Sequence, residues 1–190
     1  LLTMYNPTSS NLNPESTCIG NGIEIINQSS ITTTINNTNM GSCGLSEILT
    51  AKFTVSNKGK GNLVIKSANT DNTNNFTVVN KLPMTIAADS STTISVEFKS
   101  NKIGEFTSKV FLMNNDLDES NFEFTIAASV VAPNLEVRSL NGKISDGDEA
   151  PTATKGTDFG QNAVGKSASK KFTITNSGPG ILNVKGINIS

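Results

Sequence analysis

Two short acidic loops carry the densest sets of potential metal ligands. NNDLDES (114–120) gathers Asp116, Asp118 and Glu119, and ISDGDEA (144–150) gathers Asp146, Asp148 and Glu149. A hard cation such as calcium wants about six to eight oxygen ligands on a sharply turning loop. Gly147 supplies such a turn, but neither loop has the EF-hand spacing. Their ordinary reading is a polar turn between strands, with Asp and Asn bonding nearby amides. Asp116, Asp118, Asp146 and Asp148 are thus the calcium candidates, and no other cofactor is expected. Paired acids could serve a glycosidase only if held across a cleft, whereas every acid here falls in a turn or on an exposed strand face.

The remaining reactive chemistry is sparse. The chain has no histidine, which removes the usual general base near neutral pH and the commonest metal ligand. No GxSxG elbow or SxxK pair is present, so no catalytic residue is assigned. Cys18 and Cys43, both in Gly-rich polar surroundings, are too far apart for a redox CxxC and too few for a zinc site. A disulfide between them is the preferred reading in an exported protein, with two free thiols as the alternative. Gly59 and Gly61, and again Gly178 and Gly180, have the look of a phosphate-cradling loop, but such a loop needs a helix directly after it and a strand follows here. They are read as turn glycines, placed where positive φ is wanted. The sequons at Asn27, Asn36, Asn75 and Asn188 would mean surface glycosylation in a eukaryotic secretory protein, and in so Asn-rich a chain they are otherwise expected by chance.

The elements that must hold these residues are strands. The composition is 35% hydrophobic and 16% charged, that of a folded protein, and is heavy in Asn, Ser, Thr, Gly, Val and Ile. With 15 basic residues against 16 acidic, no basic footprint for nucleic acid exists. No run of about eighteen apolar residues marks a membrane span, and LLTMYNPTSS lacks the basic flank and full apolar region of a signal peptide. ILTAKFTVSN alternates, with Ala51, Phe53 and Val55 on one face; STTISVEF and NFEFTI do the same through Ile94, Val96 and Phe98 and through Phe122, Phe124 and Ile126. Short strands and turns at this spacing predict two antiparallel sheets packed face to face.

The pattern then recurs. KFTVSNKGKGNLVI (52–65) returns as KFTITNSGPGILNV (171–184), and an offset of 119 residues pairs Phe53, Asn57, Gly59 and Gly61 with Phe172, Asn176, Gly178 and Gly180. Upstream, aligning GIEI (22–25) with NLEV (134–137) shortens the offset to 112 and places about seven extra residues around SDGDEAPTATKG. The expected organisation is a polar connector over 1–22, a complete immunoglobulin-like β-sandwich over 23–132, and the first part of a second over 133–190. A half-sandwich would expose apolar side chains and strand edges, so the natural protein is expected to continue beyond Ser190.

The segments TDFG (157–160), KFTITNSGPGILNVKGINIS and TTISVEFKSNKIGEFTSKVFLMNNDLDESNFEFTIAASV resemble the Ig-like repeats of the choice-of-anchor D type in large bacterial surface proteins. They are similar more broadly to hydin-like and major-sperm-protein-like sandwiches. The first copy departs from the family, with TNMG at 38–41 and Lys99 where proline is usual. The resemblance implies an exported multi-repeat protein, often from Bacteroidota with delivery through type IX secretion, acting outside the cell as an adhesin, stalk or displayed cargo. Its implied partners are neighbouring repeats, surface glycans, host or matrix proteins, or the secretion machinery. Two other readings stand beside this one. The end loops 67–75 and 114–121 could bind a glycan or protein, or the repeats could accompany an enzyme in the same polypeptide.

Overall fold

The computed structural model describes residues 12–188. These form two units that divide at Val130/Val131, close to the expected boundary. No helix occurs among the described residues. In chain order the strands of the first unit are β1 (Ser16–Gly20), β2 (Ile23–Ile25), β3 (Asn39–Cys43), β4 (Ile48–Asn57), β5 (Leu63–Ile65), β6 (Ser67–Thr70), β7 (Phe76–Val78), β8 (Met84–Ile86), β9 (Ser91–Lys99), β10 (Gly104–Met113) and β11 (Asn121–Val130). Those of the second are β12 (Leu135–Ser139), β13 (Gly142–Ile144) and β14 (Thr173–Asn176).

The first unit is an Ig-like sandwich. One sheet has the order β2-β1-β4-β9-β7 and the other β3-β11-β10-β6, with the small pair β5-β8 beside them. All pairings are antiparallel except that of β3 with β11. The alternation legible in the sequence is the cause. Along β11 every second side chain from Phe122 to Val130 is buried, and β4 sends Ala51, Phe53 and Val55 inward. At the centre the Phe53 and Phe124 rings meet edge-on, 4.9 Å apart, and Phe76 packs on Phe98 at the same separation. Edge-on contact sets a positive ring edge against a negative face.

The structure corrects the sequence reading upstream of the shared motif. Residues 1–11 lie outside the described residues, but Ser16–Gly20 is no connector. It is a strand in mid-sheet, registered on β4 from Ser16↔Asn57 to Gly20↔Phe53, with Ser16 and Cys18 buried. In the second unit β12 pairs with β14 from Leu135↔Asn176 to Arg138↔Thr173, the same register 119 residues on. The β1–β2 pair Cys18↔Ile25 likewise recurs as Val137↔Ile144. Even the crossover is repeated: Thr33 N–H donates to Thr38 Oγ1 at 2.9 Å, and Thr152 N–H to Thr157 Oγ1 at 3.0 Å. The offset of 119 therefore holds from residue 13 onward with no inserted segment. NLEV is the counterpart of ESTC (15–18), not of GIEI. Two short β-rich runs competed for one place, and the polar look of ESTC hid a strand whose inward positions are small residues.

The disulfide is also corrected, since both cysteines are free and buried. Cys18 lines a narrow interior gap with Leu112 and Phe122, whereas Cys43 is registered on Val130. Phe122 and Val130 are eight residues apart on β11, roughly 26 Å at about 3.3 Å per residue. A disulfide tolerates a Cα separation of at most about 7 Å.

Candidate site: the linker clamp and the acidic loop beside it

The repeated signature builds one site, used twice. Asn57 closes β4 and is fully buried. Its amide Nδ2–H2 donates to the carbonyls of Gly61 at 2.7 Å and Ile86 at 3.0 Å. Its Oδ1 accepts from Gly59 N–H at 3.0 Å and Glu15 N–H at 3.2 Å. One side chain thus ties its own loop to the chain segment that leads into β1. In the second unit Asn176 Nδ2–H2 donates to Gly180 O at 2.6 Å, and Oδ1 accepts from Gly178 N–H at 3.1 Å and Asn134 N–H at 3.0 Å. Backbone bonds complete both clamps: Lys58 N–H to Glu15 O at 2.7 Å and Ser177 N–H to Asn134 O at 2.8 Å, then Gly61 N–H to Asn13 O at 3.2 Å and Gly180 N–H to Ala132 O at 3.0 Å.

The glycines are required by space, not by turn conformation. None of Gly59, Gly61, Gly178 and Gly180 has positive φ, which corrects the expectation from sequence. A Cβ at Gly59 would run into the backbone at Asn13–Glu15, one at Gly61 into the Leu12 carbonyl, and those at Gly178 and Gly180 into the backbone around Ala132–Asn134. Asn-x-Gly-x-Gly is therefore a cradle for the incoming linker, whose Pro14 and Pro133 correspond across the two units.

Beside the first clamp lies the acidic loop between β10 and β11. Asn114 is buried and shapes it, donating to Leu112 O and Glu119 O at 3.2 and 2.8 Å and accepting from Asp116 N–H at 2.7 Å. This turns the buried Asp116 toward the linker, where its Oδ2 accepts from Ser16 N–H at 2.7 Å. Ser16 Oγ donates to Glu119 Oε2 at 3.3 Å. Carboxylate oxygens of Glu15, Asp116 and Asp118 lie within 4.8 Å of one another. Crowding has its electrostatic cost. Desolvation, then Asp116 and Asp118, push the Glu15 carboxyl above its usual range. For Glu119, desolvation likewise outweighs the Ser16 hydrogen bond, reinforced by the neighbouring carboxylates. Lys60, which lines the same cleft, reaches instead to Asp89 at 3.0 Å.

Of the four calcium candidates, then, Asp116 and Asp118 come together with Glu15, a partner the sequence did not suggest because it lies about a hundred residues away. Asp148 is engaged by Lys155 at 2.7 Å, which holds its carboxyl below the usual range. Asp146 joins no comparable group among the described residues. Of the two end loops named from sequence, 67–75 is not all loop: Ser67–Thr70 is strand β6, with Ser67 registered on Met113 beside the 114–121 loop, and only 71–75 is left to connect it to β7. Loop 114–120 adjoins the Met113↔Asn121 pair, while Asn75 bonds to Lys99 near the Gly104 end of β10. Cys18 is chemically quiet, because burial pushes its thiol up to about 12; burial and then Glu47 also raise that of Cys43.

Phe53 and Phe172 differ in surroundings: the first is fully buried and the second 41% exposed.

The HYDIN/CFA65/VesB-like, Ig-like domain family matches residues 30–129, and the chain belongs to it. No curated protein matches. Among solved structures the chain is similar to a protein of unknown function from Porphyromonas gingivalis W83, at 19% identity and a TM-score of 0.43 over 48% of this chain. It is also similar to the ASH/PapD-like domain 7 of human CEP192, at 9% identity and 0.45 over 70% of this chain and 97% of that one. A third likeness is to the Vibrio cholerae VesB protease, at 13% and 0.40 over 63% of this chain. The chain spans 43% of the Porphyromonas protein and 32% of VesB.

Proposed function

We propose that the chain is a non-catalytic spacer module of an exported, multi-repeat cell-surface protein, an adhesin or stalk of the choice-of-anchor D kind. The observation that carries this reading is the recurrence, at a period of 119 residues, of the same opening strands and linker clamp, with the asparagine bonds to its own loop and to the incoming linker repeated. A linker held by the unit it leads into adds reach without adding slack, and repetition of such units extends whatever is carried at the far end. The resemblance to Bacteroidota surface proteins supports outward delivery, with the type IX route as its specific form. The test is protease shaving of intact cells followed by mass spectrometry. Peptides from this chain released before lysis support the reading, and a chain protected until lysis refutes it.

A further inference from the structure

Resting on the spacer reading, we propose a mechanical function: the first unit is built to bear load along the chain, and Asn57 is the latch that sets its resistance. The two ends of the unit lie at opposite poles. Ser16 opens β1 beside the 114–120 loop, bonded to Asp116 and Glu119. β11 starts at that same pole and ends at Val130, nine residues on, roughly 30 Å away at about 3.3 Å per residue. β1 runs the same way as β11, since Gly20 registers on Phe53 and Phe53 packs on Phe124. Tension between the ends therefore pulls β1 lengthwise along β4. In an antiparallel pair the hydrogen bonds lie across the strands, so lengthwise load strains the five registered β1–β4 positions together and cannot open them one at a time. The exit strand is the better held, flanked by β3 and by all ten residues of β10. The weaker, rate-setting end is β1, and there the Asn57 bonds to Glu15 and Gly61 lock the linker before load reaches the strand.

The experiment stretches the whole 190-residue chain by its termini in optical tweezers. Unfolding of the first unit is identified by a gain of roughly 380 Å, set by about 3.6 Å per released residue. Asn57→Ala is expected to unfold about tenfold faster at a fixed load. Val78→Ala, on edge strand β7 away from the load path, is expected to lower denaturant stability yet leave that rate nearly unchanged. Equal acceleration by both, or none with Asn57→Ala, overturns the proposal. Should Asn57→Ala fail to fold, a unit with Asn57 intact is pulled instead from Lys102→Cys and the C-terminus, which peels β10 from β11 at one pole. Yielding at clearly lower force than in the end-to-end direction supports the proposal, and equal or greater force overturns it. These readouts are independent of cell location, so a failed shaving experiment and a failed stretching experiment are told apart.

Discussion

Asn57 accepts the amide of Glu15 at 3.2 Å, and Asn176, 119 residues later, accepts the amide of Asn134 at 3.0 Å. The two asparagines perform the same act on the same point of the linker. Asn57→Ala leaves the carbonyls of Gly61 and Ile86 and the amides of Gly59 and Glu15 without this partner, that of Ile86 in a fully buried position. We expect a loss of about 2–3 kcal/mol from the first unit, measured by urea unfolding. Asn57→Asp keeps the acceptor but buries a charge, and should do no better.

The cradle predicts a positional difference among glycines. Gly61→Ala drives a methyl into the Leu12 carbonyl and is expected to cost about 1–3 kcal/mol. At Gly44 the nearest atoms to an added Cβ belong to the flexible end of Glu47, and Gly44→Ala should stay within about 0.5 kcal/mol of the parent. Paired urea melts decide it; equal losses contradict the cradle.

Much of this was legible beforehand, and the reasons differ by residue. Phe53, Ile94, Phe98 and Phe124 declare their inward face because alternation with polar neighbours has one explanation. Asn57 and Gly61 declare a motif because they recur at fixed spacing. Their purpose stayed hidden, since the segment they grip, Asn13–Glu15, is distant in sequence and polar. β1 was missed for a related reason: Ser16, Cys18 and Gly20 are inward-facing but small, so no apolar period marks them. The gathering of Glu15 with Asp116 is a product of that same missed strand.

The acidic loop predicts a stability optimum on the acid side of neutrality. The carboxyls of Glu15 and Glu119 are held above the usual 4.5, so the folded state binds their protons more readily than the unfolded chain. Their destabilising effect is full above the folded pKa and absent below 4.5. Asp71 runs oppositely. Burial works to raise it, but hydrogen bonds from Ser108 and the Lys109 amide prevail and hold it below the usual 3.8. Its support is present above 3.8 and lost as pH falls through the lowered value. Thermal midpoints should rise as pH drops from 7 toward 4.5 and fall again below 3.8. Glu119→Gln should flatten the first limb, measured by scanning calorimetry. Asp116→Ala strands the buried Ser16 amide and is expected to cost about 1–3 kcal/mol.

Two free, buried thiols predict indifference to reductant. The thermal midpoint in dithiothreitol should match that without it, and Cys18 should resist alkylation until the unit unfolds. A mass shift of two hydrogens on reduction would instead show a disulfide.

The first unit also displays Ile26, Ile31 and Ile35 at 76%, 72% and 69% exposure, where the second has Ser145, Ala150 and Thr154. The local backbone bonds of this crossover recur in the second unit without them, from Ser29 N–H to Ile26 O and Asp148 N–H to Ser145 O onward, so the isoleucines are expected to be dispensable for the turn. Exchanging the three for their counterparts should change stability by less than about 1 kcal/mol in urea melts.

The central claim is that each unit begins with a strand clamped by its own Asn-x-Gly-x-Gly loop, at a period of 119 residues. Amide hydrogen exchange resolved to single residues tests it most directly. Protection at Thr17 and Ile19, whose amides face β4, should match that of Ser56 and Thr54 opposite them, with the Glu15 and Asn134 amides also slowed. Exchange over 13–20 at the rate of an unstructured chain would contradict it.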